Sequence, residues 1–262
     1  MPHVVALYRY PVKGFTPEDC DTLTVFDDGR VAGDRVLGVR FADTEAPDDK
    51  WSRKHGMVAL INTPGLARLR VTFGVKSCRV RISSDTSLLL DETLNPKGRQ
   101  RIAEVLADYL LKLDDNPVTN HPERLPLRII GDGHSPRYHD EEPGRATLHG
   151  RESLRSLEVA LGEDVSELRF RSNIAIDGLA AWEEQSWIGH KIRIGAVEFD
   201  VVKPKTRCLA IHANPITGKR DLPILSTLTQ KFGQEKPTFA VAMVPSRGGG
   251  EIRVGDQVAL VD

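Results

Sequence analysis

The residues best placed to do chemistry lie in "KPKTRCLAIHANPITGKRD", positions 203–221. Cys208 follows Thr206 and Arg207, with Lys203 and Lys205 just upstream. Thiolate is the form of cysteine that attacks electrophiles and binds metals, and nearby cations favour it. If a strand runs through the cysteine, alternation places Thr206, Cys208, Ala210 and His212 on one face, with Leu209 and Ile211 on the core side. Three readings then stand side by side: a small buried hydrophobe, a nucleophile, or the single protein ligand of a metal.

A second constellation is "FRSNIAI", 170–176. Read as a strand, it puts Arg171, Asn173 and Ala175 on one face. A guanidinium fork beside a carboxamide suits an anionic ligand with amide-like edges; a solvated face with an ordinary salt bridge is the alternative. Lys13 beside Gly14 in "RYPVKG" can meet a phosphate, as can Arg35 in "AGDRVLGVRF", though such turns are common on surfaces. His121, His134, His139 and His149 crowd together with Asp132, Asp140, Glu141 and Glu142. Their spacing matches no metal-binding motif, which favours a mobile, solvated loop over 131–145, although loops of this length often act as lids or binding loops. No nucleophile elbow, P-loop or dinucleotide glycine pattern occurs.

These residues need a scaffold. The first third reads as short strands: "HVVALYRY", "TLTVF", "DRVLGVRF", "MVALI", "LARLRVTF" and "CRVRI", separated by turn signals such as "DDGR" and "NTPG". "GRQRIAEVLADYLLKL" carries Ile102, Val105, Leu106, Tyr109 and Leu110 at helical spacing. The polar "DDNPVTNHPERLP" reads as a junction, dividing the chain into 1–115 and 116–262. Beyond it, "LRIIG", "LRFRSNIAID", "KIRIGAVEFDVV" and "FAVAMVPSRGGGEIRVGDQVALVD" read as strands, with helices at "GRESLRSLEVALG" and "PILSTLTQKFG". The expected fold is mainly β with a few helices (α+β): a β-rich N-terminal domain and a β-barrel-like C-terminal one.

The 262 residues suffice for a substantial core. A net charge of −1 argues against nucleic acid or an anionic membrane as the main partner. No apolar run is long enough to span a bilayer. The N-terminus lacks the pattern of a secretion signal, so a cytoplasmic location is expected. Three cysteines and no CxxC fit neither a disulfide framework nor a structural zinc site.

The order "YPVKG", "GDR", "FRSNIAIDG", "W-IG--IRIG", "TRC", "NPITG", "IRVGDQV" resembles the MOSC family with its N-terminal β-barrel partner, and most of all the mitochondrial amidoxime-reducing component and its bacterial relatives. The resemblance runs along nearly the whole chain and is strongest from Arg169 to Gly218. It implies a molybdenum cofactor (molybdopterin with Mo) whose metal is bound by Cys208. It also implies cofactor contacts from Thr206, Arg207, Arg171, Asn173, Lys13 and Arg35. A dithiolene supplies the other sulfurs, so one protein ligand suffices, and thiolate suits such a soft centre. The implied activity is reduction of N-hydroxylated small molecules by oxygen-atom removal, with electrons from a separate ferredoxin- or flavin-type donor protein. Ser172 replaces the usual proline of "F-R-P-N", and Gly14 replaces the usual serine after "P-V-K". The competing functions are a persulfide or cofactor carrier using Cys208, and a binding module in which Cys208 is inert.

Overall fold

The computed structural model describes residues 1–85 and 87–261. Its first half contains β1 (His3–Arg9), β2 (Glu18–Cys20), β3 (Thr22–Val25), β4 (Gly38–Arg40), β5 (Arg70–Gly74), β6 (Arg79–Ser83), β7 (Leu88–Thr93) and α1 (Pro96–Leu111). There follow β8 (Arg128–Ile130), β9 (Ala146–Gly150), α2 (Arg151–Leu161), β10 (Ile174–Asp177), α3 (Glu183–Ser186), β11 (Lys191–Ile194) and β12 (Val197–Thr206). α4 (Ile224–Gln230), β13 (Thr238–Pro245), β14 (Gly250–Arg253) and β15 (Val258–Val261) complete the chain. The fold is α+β and mainly strands, as the pattern of short apolar runs predicts.

Eight strands form one sheet in the order β15-β11-β12-β13-β9-β10-β1-β2. β13, "TFAVAMVP", is buried on both faces along its middle, as a central strand must be. The sheet rolls until its ends meet. Val258 N donates to Pro2 O at 2.9 Å and Val4 N to Asp256 O at 2.9 Å, and a single bridge joins His3 to Gln257. The roll is barrel-like but has no continuous closing ladder among the described residues. Its interior holds Leu7, Leu148, Ile174, Phe199, Val241 and Met243.

The β5-β6-β7 meander shows simple alternation. Val71, Phe73, Val80 and Ile82 face inward, against Ile102, Leu106 and Leu110 of α1. α1 starts where Asn95 accepts a hydrogen bond from Gly98 N at 2.8 Å and Pro96 occupies the first turn.

The division expected at residue 115 is crossed by the chain. β1 and β2, from the first segment, complete the sheet of the second; β3 pairs with β14 and β4 with β8. Residues 3–40 therefore lie across both cores. Two expected strands also differ. "MVALI" is a turn, because Asn62 accepts from Ala59 N and donates to Met57 O, both at 2.9 Å. "LRFRSNIAID" becomes a 3-10 turn over Glu167–Phe170 followed by β10, with Arg171 in the left-handed region at φ 55°.

Asn173 sits where three strands converge. Its Nδ2 donates to Tyr8 O at 3.1 Å, and its Oδ1 accepts from Thr147 N and Oγ1, each at 3.3 Å. Truncation leaves buried backbone groups unpaired. Asn173→Ala is expected to lower stability by about 1–3 kcal/mol, read as a lower urea midpoint with an unchanged slope.

Candidate functional site

β12 ends at Thr206, and a 3-10 turn over Leu209–His212 follows, with Cys208 as its N-terminal cap residue. The strand expected to run through the cysteine therefore stops two residues short. Ladder pairing with β13 ends at Thr206–Thr238, and Arg207 N then turns to bond Pro237 O at 2.8 Å. Leu209 is exposed while Ile211 is buried, so the two do not share a core face as alternation predicts. Cys208 is half-buried and lies outside the apolar cores.

Two hollows meet at this sulfur. Both are lined by Arg35, Asp140, Arg171, Cys208 and Ala210. The first adds Lys205, Thr206 and Arg207; the second adds Lys13 and Lys54 beside the apolar Ala59, Leu60 and Ile61. Folding thus gathers Lys13, Arg35, Arg171, Thr206, Arg207 and Cys208, six of the residues singled out from the sequence. Asn173 is not among the lining residues, because its carboxamide is committed to the strand junction described above.

Each of the three guanidiniums donates to at least one backbone carbonyl. Arg207 donates from Nε to Phe239 O at 2.7 Å and from Nη1 to Phe170 O at 2.6 Å. Its Nη2 is buried and has no partner within the protein. Arg171 donates to Phe15 O and lies over the Tyr10 ring, 4.4 Å from its centroid. Arg35, also left-handed at φ 51°, donates to Asp34 and to Arg171 O and lies 4.9 Å from the same ring centroid. Burial lowers Arg171 and Arg207 to about 10, and like charge from Arg35 adds to this in both. The two guanidiniums still remain charged near neutral pH.

The carboxylates come from a segment whose role the sequence left open. The loop over 131–145 is not simply a mobile, solvated stretch. Tyr138 and His139 are buried, Trp51 Nε1 bonds His139 O at 3.0 Å, and Asp140 Oδ1 meets Lys13 Nζ at 2.5 Å. Burial disfavours charge on Lys13 and moves it downward, while Asp140, whose side chain is 55% exposed, is held well below its usual range by Lys13, Lys54 and Arg35. Glu141 pairs with Lys203 at 2.5 Å and Lys205 at 3.3 Å. His121 is exposed, and His149 is tied to Glu167 at 3.1 Å. Among the described residues, no three His, Cys, Asp or Glu side chains come together as a metal site.

Lys54 was not singled out from the sequence. Its Nζ stands 3.4 Å from Cys208 Sγ. "WSRKHG" carries no periodicity or motif, and only the packing of the 3-10 turn Lys54–Gly56 beside the cysteine reveals it.

Asp34 anchors this network from beneath. It is 1% exposed, accepts from Tyr10 N at 2.7 Å and lies 3.5 Å from His139 Nε2. Burial alone would raise its carboxyl, but Arg35 and His139 bring it down to about 2. A depressed carboxylate stabilises the fold above its unfolded value of about 3.9 and loses that contribution as pH falls through the folded value. Urea unfolding from about pH 5 to about pH 2 should show wild type losing roughly 2 kcal/mol more than Asp34→Asn.

Residues 137–259 match the MOSC domain family. Among curated proteins, the chain is 40% identical over 83 residues to a molybdenum cofactor sulfurase of Drosophila pseudoobscura pseudoobscura, covering 32% of this chain and 10% of that protein. It is 39% identical over 82 residues to the human molybdenum cofactor sulfurase, covering 31% of this chain and 8% of that protein. The matched region is therefore about a tenth of the sulfurases' length. Among solved structures, the YUAD protein of Bacillus subtilis aligns at TM-score 0.42 and 11% identity, over 98% of this chain and 94% of that one. YiiM of Geobacillus stearothermophilus aligns at TM-score 0.34 and 18% identity, over 45% of this chain and 54% of that one. No helix among the described residues is long and apolar enough to cross a membrane.

Proposed function

We propose that this chain, whose residues 137–259 match the MOSC domain family, is an oxidoreductase that binds molybdenum cofactor and removes oxygen from N-hydroxylated small molecules. The observation that carries this reading is Cys208, one sulfur at the meeting point of two hollows walled by cations, beside an Arg207 Nη2 that is buried without a partner. A buried donor with no acceptor costs about 1–3 kcal/mol. An acceptor-rich ligand in the first hollow removes that cost.

The residues present fit the cofactor. Cys208 offers the soft sulfur ligand that molybdenum accepts. Arg207 and Arg171, locked by backbone carbonyls, present charge to phosphate and pterin oxygens without losing side-chain freedom on binding. Arg35 and Lys13 extend the cationic wall, and Thr206 lines the first hollow. Asp140 shares Lys13, so an incoming anion competes with a carboxylate already in place. The serine that usually follows "P-V-K" cannot be accommodated here. Gly14 has φ 79°, and a Cβ would come within 2.5 Å of Ala59 Cα. The chemistry that the bound cofactor supplies is a two-electron reduction of the N–O bond. A separate protein supplies the electrons, while the chain's own residues bind, orient and neutralise charge.

A second reading has its own support. The two curated relatives described above are named as molybdenum cofactor sulfurases, so Cys208 as a persulfide or cofactor carrier is the alternative.

The two readings separate in one assay. Protein made in a cofactor-synthesising host is expected to convert an N-hydroxylated amidine to the amidine under reduced viologen, and Cys208→Ala to show only background. No turnover, together with a Cys208 one sulfur heavier by mass, would transfer the assignment to the carrier.

A further inference from the structure

Cys208 is paired with an amine and isolated from other thiols. Lys54 Nζ lies 3.4 Å from the sulfur, and both residues line the second hollow, through which a small solute reaches them. Among the described residues Lys54 makes no ion pair with a carboxylate within 4 Å, and its side-chain hydrogen-bond contact is with this sulfur. Cys20 lies in β2 and Cys78 just before β6; neither lines the hollows. All three cysteines are free. Half-buried cysteines in electropositive surroundings are the ones that oxidants select. Once oxidised, a sulfenic acid condenses with a thiol to a disulfide or with a backbone nitrogen to a sulfenamide, and a side-chain amine within reach is a nitrogen nucleophile of the same kind.

The geometry points to a covalent modification site, a sulfenyl-amide cross-link between Cys208 and Lys54 formed when the metal-free protein meets a hydroperoxide. In the first step, Cys208 Sγ–H attacks hydrogen peroxide. The O–O bond breaks, sulfur gains a hydroxyl and is oxidised by two electrons, and one water leaves. In the second, the free-amine form of Lys54 attacks that sulfur. The S–O bond breaks, an S–N bond forms, and the displaced hydroxyl leaves as a second water with a proton from the amine. Overall, thiol, amine and peroxide give the cross-link and two waters. A thiol reductant reverses it by attack at sulfur, returning Lys54 as the amine. The link consumes the Cys208 thiol, so it keeps the sulfur from irreversible oxidation and also excludes a ligand there. The chemistry requires no cofactor, so it stands or falls independently of the proposed reductase activity.

The test uses the full chain, made without added molybdate, treated with hydrogen peroxide and followed by intact mass and peptide mapping. Wild type is expected to become two hydrogens lighter, with the Lys54 and Cys208 peptides joined and released by dithiothreitol. Lys54→Arg keeps the positive charge but lacks the nucleophile; it is expected to form no joined peptide and to gain two or three oxygens on Cys208. If wild type gains those oxygens as fast as Lys54→Arg, with no joined peptide, the cross-link is overturned. Equal amounts of joined peptide in both proteins would overturn the assignment to Lys54.

Discussion

The site depends on holding several cations close together around one sulfur. Arg35, Arg171 and Arg207 repel one another and are partly withdrawn from water, two penalties that a fold must offset locally. The offsets are specific. Backbone carbonyls of Phe15, Phe170 and Phe239 accept hydrogen bonds from the guanidiniums of Arg171 and Arg207. The Tyr10 ring lies against both Arg35 and Arg171, and Asp34 supplies a buried countercharge. Arg207 Nη2 is buried with no partner within the protein, and Arg207 lines the first hollow.

This requirement explains why the two halves of the chain are interleaved. Asp34 and Arg35 come from the turn before β4, Tyr10 and Lys13 from the segment after β1, and Arg171, Arg207 and Cys208 from the second half. Bringing them together requires β1 to lie within the rolled sheet and β4 to pair with β8. Asn173 fastens the junction of β1, β9 and β10 immediately beside the cationic wall. The loop over 131–145 then adds Asp140 and Glu141, which partly neutralise Lys13, Lys203 and Lys205. In the proposed reductase, these carboxylates are what an incoming anionic ligand must compete with.

The strands of the meander and α1 were legible because a single apolar face sets their period, two in the strands and 3.6 in the helix. The cysteine and its preceding arginine stood out by residue type and neighbours. Their local conformation did not, because β12 ends where its pairing with β13 ends, and a pairing partner distant in sequence leaves no mark on "TRCLAIH". Asn173 was recognisable as a residue with a task, but whether its carboxamide meets a ligand or two neighbouring strands is decided by tertiary packing. Lys54 left no sequence signal at all. Its importance is a distance, created when a 3-10 turn packs against a residue 154 positions later.

The central claim is that Cys208 is the protein's bond to a molybdenum centre. The most direct measurement is molybdenum content by elemental analysis of wild type and Cys208→Ala, both produced folded in a cofactor-synthesising host with ample molybdate. Near-stoichiometric molybdenum in wild type and its loss in Cys208→Ala is the predicted result. Folded wild type without molybdenum, or equal molybdenum in both proteins, would contradict it.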